Sequence, residues 1–141
     1  MKLTDTVWNS WEPRFRAQFF NSLGGPRQVG LLTTFSPSGL ANAAVFSQTL
    51  HVSANPPLGF LFRPLTAEHQ GLRYLRERAS FGFNLMAGDI REAGELHQCS
   101  AKYPEGESDL DAQGISWTPF DRIAAPRIDG ATVAYGLTLA E

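Results

Sequence analysis

Apolar positions along this chain switch between a helical and a strand period. Phe15, Phe19, Phe20 and Leu23 recur near helical spacing and predict one helix, capped at Asn9 or Ser10 and running to about Leu23. Pro13 is tolerated there because the first turn has spare N–H groups, and Gly24-Gly25-Pro26 ends the run. Val29 to Phe35 reads as a strand, and Ser36-Pro37-Ser38-Gly39 has the residue order of a type I turn. A second strand, Ala41 to about Val52, is predicted to pair with the first as a hairpin.

Asn55-Pro56-Pro57 breaks that strand, and the short apolar run Leu58 to Phe62 reads as a third, buried one. Thr66 suits the cap of a helix from Ala67 to about Arg78, with Leu72 and Leu75 inward. Phe81 to Leu85 is a fourth strand, and Asp89 with Glu92 resembles a capping box for a helix to about Ser100. Ser108 to Gln113 suits a helical turn closed by Gly114. Ile115 to Thr118 and Thr132 to Leu139 are strand candidates. In the latter, Val133, Tyr135, Leu137 and Leu139 share one face by alternation. Strands and helices mix without a βαβ rhythm, which favours an antiparallel sheet or barrel with peripheral helices. No Gly-rich nucleotide loop follows a strand.

Composition narrows the function classes. The 141 residues, 43% of them hydrophobic and 18% charged, suit one globular domain spanning 1–141, with 1–24 as an N-terminal helical segment. The net charge of −2 and the lack of a Lys/Arg stripe argue against nucleic acid as a partner. There is no apolar run of membrane-spanning length and no signal-peptide core at Met1 to Asp5. Cys99 is the only cysteine, which suits a reducing compartment, so a cytoplasmic location is expected.

Two segments carry candidate binding chemistry. The strand Ala43 to His51 holds Ser47, Gln48, Thr49 and His51 where a buried strand would be apolar throughout. Ser47, Thr49 and His51 would share one face, and such a face needs water, partners or a planar polar ligand. Read alone, it also suits the wet side of a half-exposed strand. The segment Arg63-Pro64-Leu65-Thr66-Ala67-Glu68-His69 would aim backbone N–H groups, the Thr66 hydroxyl and the forked Arg63 at an anion. Read alone, it is an ordinary strand-to-helix turn.

Other candidates are weaker. His97 and Cys99 lack the further ligands of a metal site, so no metal is expected, and Cys99 reads as a mostly buried, inert thiol. Lys102 and Tyr103 stand at a helix end where they could reach a ligand or a partner subunit. Glu105, Glu107, Asp109 and Asp111 read as a solvated acidic loop. Trp8 and Trp11, with Phe15 and Phe19, read as core or subunit-contact residues.

In order along the chain, Asn42 to Gln48, Ala54 to Pro64, Leu72 to Arg76, Phe81 to Leu85, His97 to Pro104 and Ala124 to Ile128 resemble the flavin-reductase-like, FMN-binding split-barrel family. The resemblance runs from about Phe15 to the C-terminus. It implies an antiparallel Greek-key barrel, usually a homodimer, with FMN near the subunit interface. It places Phe46, Ser47, Gln48 and Thr49 along the isoalloxazine ring, and Arg63, Pro64, Thr66 and His69 at the phosphate. Lys102 and Tyr103 would approach the flavin, and NAD(P)H would be the electron donor. Two departures stand out. Gln70 and Gly71 occupy the positions where the family often has a His-Thr pair, and the family usually continues for several strands beyond Leu139, so the barrel is expected to be shortened.

Hydride chemistry would belong to the flavin itself, so no catalytic side chain is required of the protein. The expected function is an NAD(P)H-dependent flavin oxidoreductase. A non-catalytic FMN carrier and a dimeric interaction protein on the same fold are the alternatives.

Overall fold

In the computed structural model, residues 4–25, 28–47, 49–51, 58–60, 70–101 and 103–139 are described. Two short helices come first, α1 (Asp5–Asn9) and α2 (Pro13–Ser22), where one was expected. The residue before a proline is pushed out of the helical region, and Glu12 sits there with ψ 134°. Its carboxylate accepts hydrogen bonds from the N–H groups of Arg14 (2.9 Å) and Phe15 (2.8 Å), which hold that carboxyl below its ordinary pKa. The cap therefore belongs to Glu12, not to Asn9 or Ser10.

The centre of the molecule is a four-stranded antiparallel sheet in the order β2-β1-β5-β8, formed by β1 (Gly30–Phe35), β2 (Ala41–Phe46), β5 (Ser80–Leu85) and β8 (Val133–Thr138). Two small sheets flank it, β3 (Thr49–His51) with β4 (Leu58–Phe60), and β6 (Trp117–Pro119) with β7 (Pro126–Ile128). The helices α3 (Gln70–Arg78), α4 (Ile90–Gln98) and the single turn α5 (Asp109–Ala112) complete the described elements. Ser108 caps α5 and Gly114 (φ +65°) follows it, as the sequence predicts. None of the described helices is long and apolar enough to cross a membrane.

Period-two alternation gives the sheet two apolar faces. On one, Leu31, Ala41 and Ala43 pack with Cys99, Leu110, Ile115 and Ile128. On the other, Leu32, Phe81, Phe83 and Leu85 pack with Leu75 of α3, flanked by Phe46 and Leu137. Each fully buried large side chain of this kind is worth about 2 kcal/mol in area removed from water. Val133 and Tyr135 extend the second face but stay 40% and 36% exposed.

The aromatic N-terminus adds nothing to either cluster. Trp8, Trp11, Phe15, Phe19 and Phe20 stack edge-to-face on one another, and Phe15 is half exposed. Their place is the surface, not the core.

Strand β7 is absent from the sequence prediction because Pro126 masks it. Proline is tolerated as the first residue of a strand, where its missing N–H breaks no ladder bond. Tertiary polar contacts hold it in place. Asn84, fully buried, donates through Nδ2 to Thr33 Oγ1 (3.1 Å) and to the Leu31 carbonyl (3.3 Å), and accepts from the Ile128 N–H (3.0 Å). Thr33 Oγ1 in turn donates to the Pro126 carbonyl (2.5 Å). The side-chain polar atoms of Asn84 and Thr33 all have partners, which is what makes them tolerable in an apolar layer.

Candidate functional site

The predicted strand from Ala41 to Val52 is two strands. The β1–β2 ladder begins at the turn and ends where Gly30 meets Phe46. Ser47 stands outside any strand, and Thr49–His51 pairs with β4 in a different sheet, Thr49 opposite Phe60. Ser47, Thr49 and His51 therefore do not form one face of one strand. The ladder ends because β1 itself begins at Gly30, with Gln28 and Val29 before it outside any strand, so the chain after Phe46 pairs elsewhere. Ser47 and Thr49 are half-buried, and so is Phe46, which flanks the second core cluster. This leaves a polar step between two sheets at the point where the ring-binding residues were expected.

Gln48, Arg63, Pro64, Thr66, His69 and Lys102 lie outside the described residues. The start of α3 is described from Gln70. Gln70 Nε2 donates to the Tyr74 hydroxyl (2.8 Å), and Gly71 is buried. Gln70 and Tyr74 line a cleft of about 210 Å³ together with Ser36 and Ser38 of the β1–β2 turn, Asn42, Glu105 and Glu107. Glu105 of this lining also forms an exposed ion pair with Arg73 of α3. The cleft thus joins the helix that follows Arg63 to His69 with the loop that follows Lys102 and Tyr103. Its described wall carries two carboxylates, Glu105 and Glu107.

Tyr103 is half-buried, and its hydroxyl takes a hydrogen bond from Gln113 Nε2, which ties it to the end of α5. The cleft opens beside Ala41, at one end of β2, while Ser47 lies beyond Phe46 at the other. At about 3.3 Å per residue these are roughly 20 Å apart.

The acidic run is not a uniformly solvated loop. Glu105, Glu107 and Asp111 are exposed, but Asp109 is 5% exposed. Asp109 Oδ2 accepts from Asn42 Nδ2 (2.9 Å) and from the Ala43 N–H (3.1 Å). That N–H points away from β1, so the carboxylate caps the outer edge of β2, which would otherwise carry an unpaired donor. Burial pushes the Asp109 pKa up, and the Ala43 bond pulls it partly back. Cys99 is buried as expected, its thiol pushed up to about 11 by burial first and by Asp109 and Glu95 second. Such a thiol stays protonated at neutral pH in the absence of a metal. Among the described residues no group of three or more His, Cys, Asp or Glu side chains is gathered to hold a metal ion.

The flavin reductase like domain family matches residues 23–141 of the sequence. The chain belongs to this family. As a flavin reductase-like chain it has structural neighbours throughout its length. One is a split-barrel protein from Shewanella frigidimarina assigned as a flavin reductase, 27% identical, TM-score 0.86, covering 100% of this chain and 69% of its own. Another is nitrilotriacetate monooxygenase component B from Bacillus cereus, 19% identical, TM-score 0.84, covering 100% of this chain and 68% of its own. A third is an NADH:FAD oxidoreductase from Streptomyces globisporus, 17% identical, TM-score 0.70, covering 92% of this chain and 74% of its own. The fold of the flavin reductase-like chain is therefore the split barrel, mainly antiparallel sheet with a few helices. It spans slightly more than two thirds of the first two neighbours.

The family residues fall where the geometry is most constrained. Asn42 and Ala43 meet Asp109, Asn84 holds β7, and Phe46-Ser47 marks the break between sheets. Sequence reasoning missed the structural role of Asp109 and Asn84. The signal for Asn84 was present as one amide inside the apolar run Phe81 to Leu85. For Asp109 there was none, since its neighbours are exposed carboxylates.

Proposed function

We propose that this chain binds FMN and passes reducing equivalents from NAD(P)H to the flavin, as a homodimer in the cytoplasm. The observation that carries the reading is the break at Ser47 within a flavin reductase-like chain. Half-buried Phe46, Ser47 and Thr49 offer an apolar shelf and two hydroxyls between two sheets. A planar ring with a polar rim fits that combination.

In this reading Phe46 to Thr49 orient the ring and shield one side from water, and Arg63, Pro64, Thr66 and His69 hold the phosphate. Lys102 and Tyr103 close over the flavin, with Tyr103 kept in place through Gln113. When bound, the flavin supplies hydride acceptance, and the protein contributes orientation and hydrogen bonds. The neutral balance of the chain and its single buried thiol accord with a reducing compartment.

Purified chain titrated with FMN and with FAD, followed by visible absorbance, tests the cofactor. Bleaching of the bound flavin on anaerobic addition of NADH or NADPH tests the activity. A chain that leaves FMN unperturbed refutes the reading. FMN bound but never reduced by either nicotinamide refutes the enzyme and leaves a flavin carrier.

A further inference from the structure

The cleft beside α3 holds buried polar groups whose hydrogen-bonding capacity is not used up. Asn42 and Tyr74 form its floor, 7% and 3% exposed, while Glu105 and Glu107 stand exposed at its rim. It lies on the β2 side of the central sheet, with β1 and β5 between it and β8.

Asp109 decides which end of the Asn42 amide faces the cleft. Asp109 Oδ2 already accepts from the Ala43 N–H, so only Nδ2 of Asn42 can meet it. Oδ1 is held on the other branch of the amide, and among the described residues no donor reaches it. Tyr74 has the opposite polarity. Gln70 Nε2 donates to its oxygen (2.8 Å), which leaves the hydroxyl proton to be donated, and no described residue accepts it. The floor therefore offers one acceptor and one donor, each on a side chain more than nine-tenths buried. At the rim, Glu105 is paired with Arg73, whereas Glu107 makes no ion pair among the described residues.

We propose that this cleft takes an adenosine group with unmodified ribose hydroxyls. Adenine presents an exocyclic N–H beside an unprotonated ring nitrogen, the complement of Asn42 Oδ1 and the Tyr74 hydroxyl. Guanine and hypoxanthine place a carbonyl where Asn42 needs a donor. Glu107 accepts from the ribose hydroxyls and repels a phosphate in the same place, as an acidic residue does at the ribose of a dinucleotide. At about 210 Å³ the cleft is smaller than the roughly 300 Å³ at which pockets for whole drug-sized ligands begin, so it suits one end of a longer ligand.

Adenosine reaches the cleft from one of two sources, the electron-donating nicotinamide dinucleotide or FAD. In both, the redox ring belongs at Ser47, roughly 20 Å away along β2, so it is the adenosine end that arrives here. Gln70, on the first turn of α3, borders the cleft directly after the segment Arg63 to His69 that holds the flavin phosphate in the reading above. The inference rests on that reading for the source of the adenosine and not for its binding.

Magnetic-resonance titration of the flavin-free chain, read at the Asn42 side-chain amide and the Glu107 N–H, tests the site. Adenosine is expected to shift both signals. Inosine, with a carbonyl in place of the amine, and adenosine 2′-monophosphate are each expected to bind about tenfold more weakly. Tyr74→Phe is expected to weaken adenosine by about the same factor, and Glu107→Gln to admit the 2′-monophosphate while inosine stays rejected. Adenosine that shifts neither signal, or inosine that binds as tightly, overturns the proposal. If Tyr74→Phe does not fold, the inosine comparison on the wild type and the exposed Glu107→Gln variant decide. Two ratios then assign the source. Tighter binding of FAD than of FMN, lost in Tyr74→Phe, assigns the adenosine to the flavin. A lower KM for NADH than for NADPH, lost in Glu107→Gln, assigns it to the electron donor. Adenosine bound with neither preference overturns the proposal as a cofactor site. A flavin that neither nicotinamide reduces refutes the reading above, and the adenosine titration stands apart from it.

Discussion

Gly82 and Gly136 lie directly opposite each other in the β5–β8 ladder, and together they leave the trough that the Phe120 to Ile123 turn fills. A Cβ on Gly82 would run into Thr33 Oγ1 and stand 2.7 Å from the Pro126 carbonyl and 3.0 Å from the Phe120 ring. A Cβ on Gly136 would meet only side-chain atoms, chiefly Ile123 Cγ1 at 2.9 Å. The two glycines set how closely β7 and its turn approach the sheet.

Gly82→Ala is therefore expected to cost about 3 kcal/mol, at the upper end for overpacking, because a backbone carbonyl must move. Gly136→Ala is expected to cost about 1 kcal/mol, since the Ile123 side chain can turn aside. Urea denaturation of the two variants checks the order. Equal losses would mean that the Ile123 turn is as rigid as the strand.

Asn84, together with Thr33, ties β7 to the sheet. Asn84→Ala leaves the Ile128 N–H buried without its acceptor and removes a donor from Thr33, at an expected cost of about 3 kcal/mol. Amide hydrogen exchange should show Ile128 losing protection well before residues of β1. Uniform loss of protection would place β7 in the same cooperative unit as the sheet.

Asp109 makes stability depend on pH in the less common direction for a carboxylate. Its folded pKa is raised by burial, so between the unfolded and folded values the native state holds more protons. The stability it contributes is present at low pH and falls as pH rises through the folded pKa. Asp109→Asn keeps an oxygen for Asn42 and Ala43 without the buried charge, and is expected to flatten that fall and to match or exceed the wild type at neutral pH. Asp109→Ala strands both donors and should cost about 2 kcal/mol. Denaturant midpoints across the acidic range, compared among the three proteins, check both statements.

Ala79 closes α3 in the left-handed region, with φ 51°. Its N–H donates to the Leu75 carbonyl (2.9 Å), and its carbonyl accepts from Leu139, so the backbone is held there in spite of the Cβ. Glycine adopts that conformation without the Cβ penalty of about 1 kcal/mol. Ala79→Gly is expected to raise the melting temperature by a few degrees. A lower melting temperature would show that the entropy glycine gains on unfolding outweighs the relieved strain.

Much of the architecture was legible because it is written in local periods. Phe81 to Leu85, Val133 to Thr138 and the Ser36 to Gly39 turn follow from spacing alone, as does the Ser108 cap of α5. The order of segments from Asn42 to Ile128 also placed the chain in its family. What local pattern could not supply were decisions made between distant segments. The end of β2 at Phe46 depends on where β1 begins, sixteen residues earlier. Strand β7 exists because Asn84 and Thr33 reach it from the sheet, and Asp109 is buried while its acidic neighbours stay in water because one β2 N–H needed an acceptor. The sequence by itself determined the apolar faces, most of the strand segments and the polar residues at Ser47 and Thr49. The tertiary structure alone decided which sheet each strand joins and which edge is sealed, because backbone hydrogen bonds between strands are satisfied by partners far away in the chain.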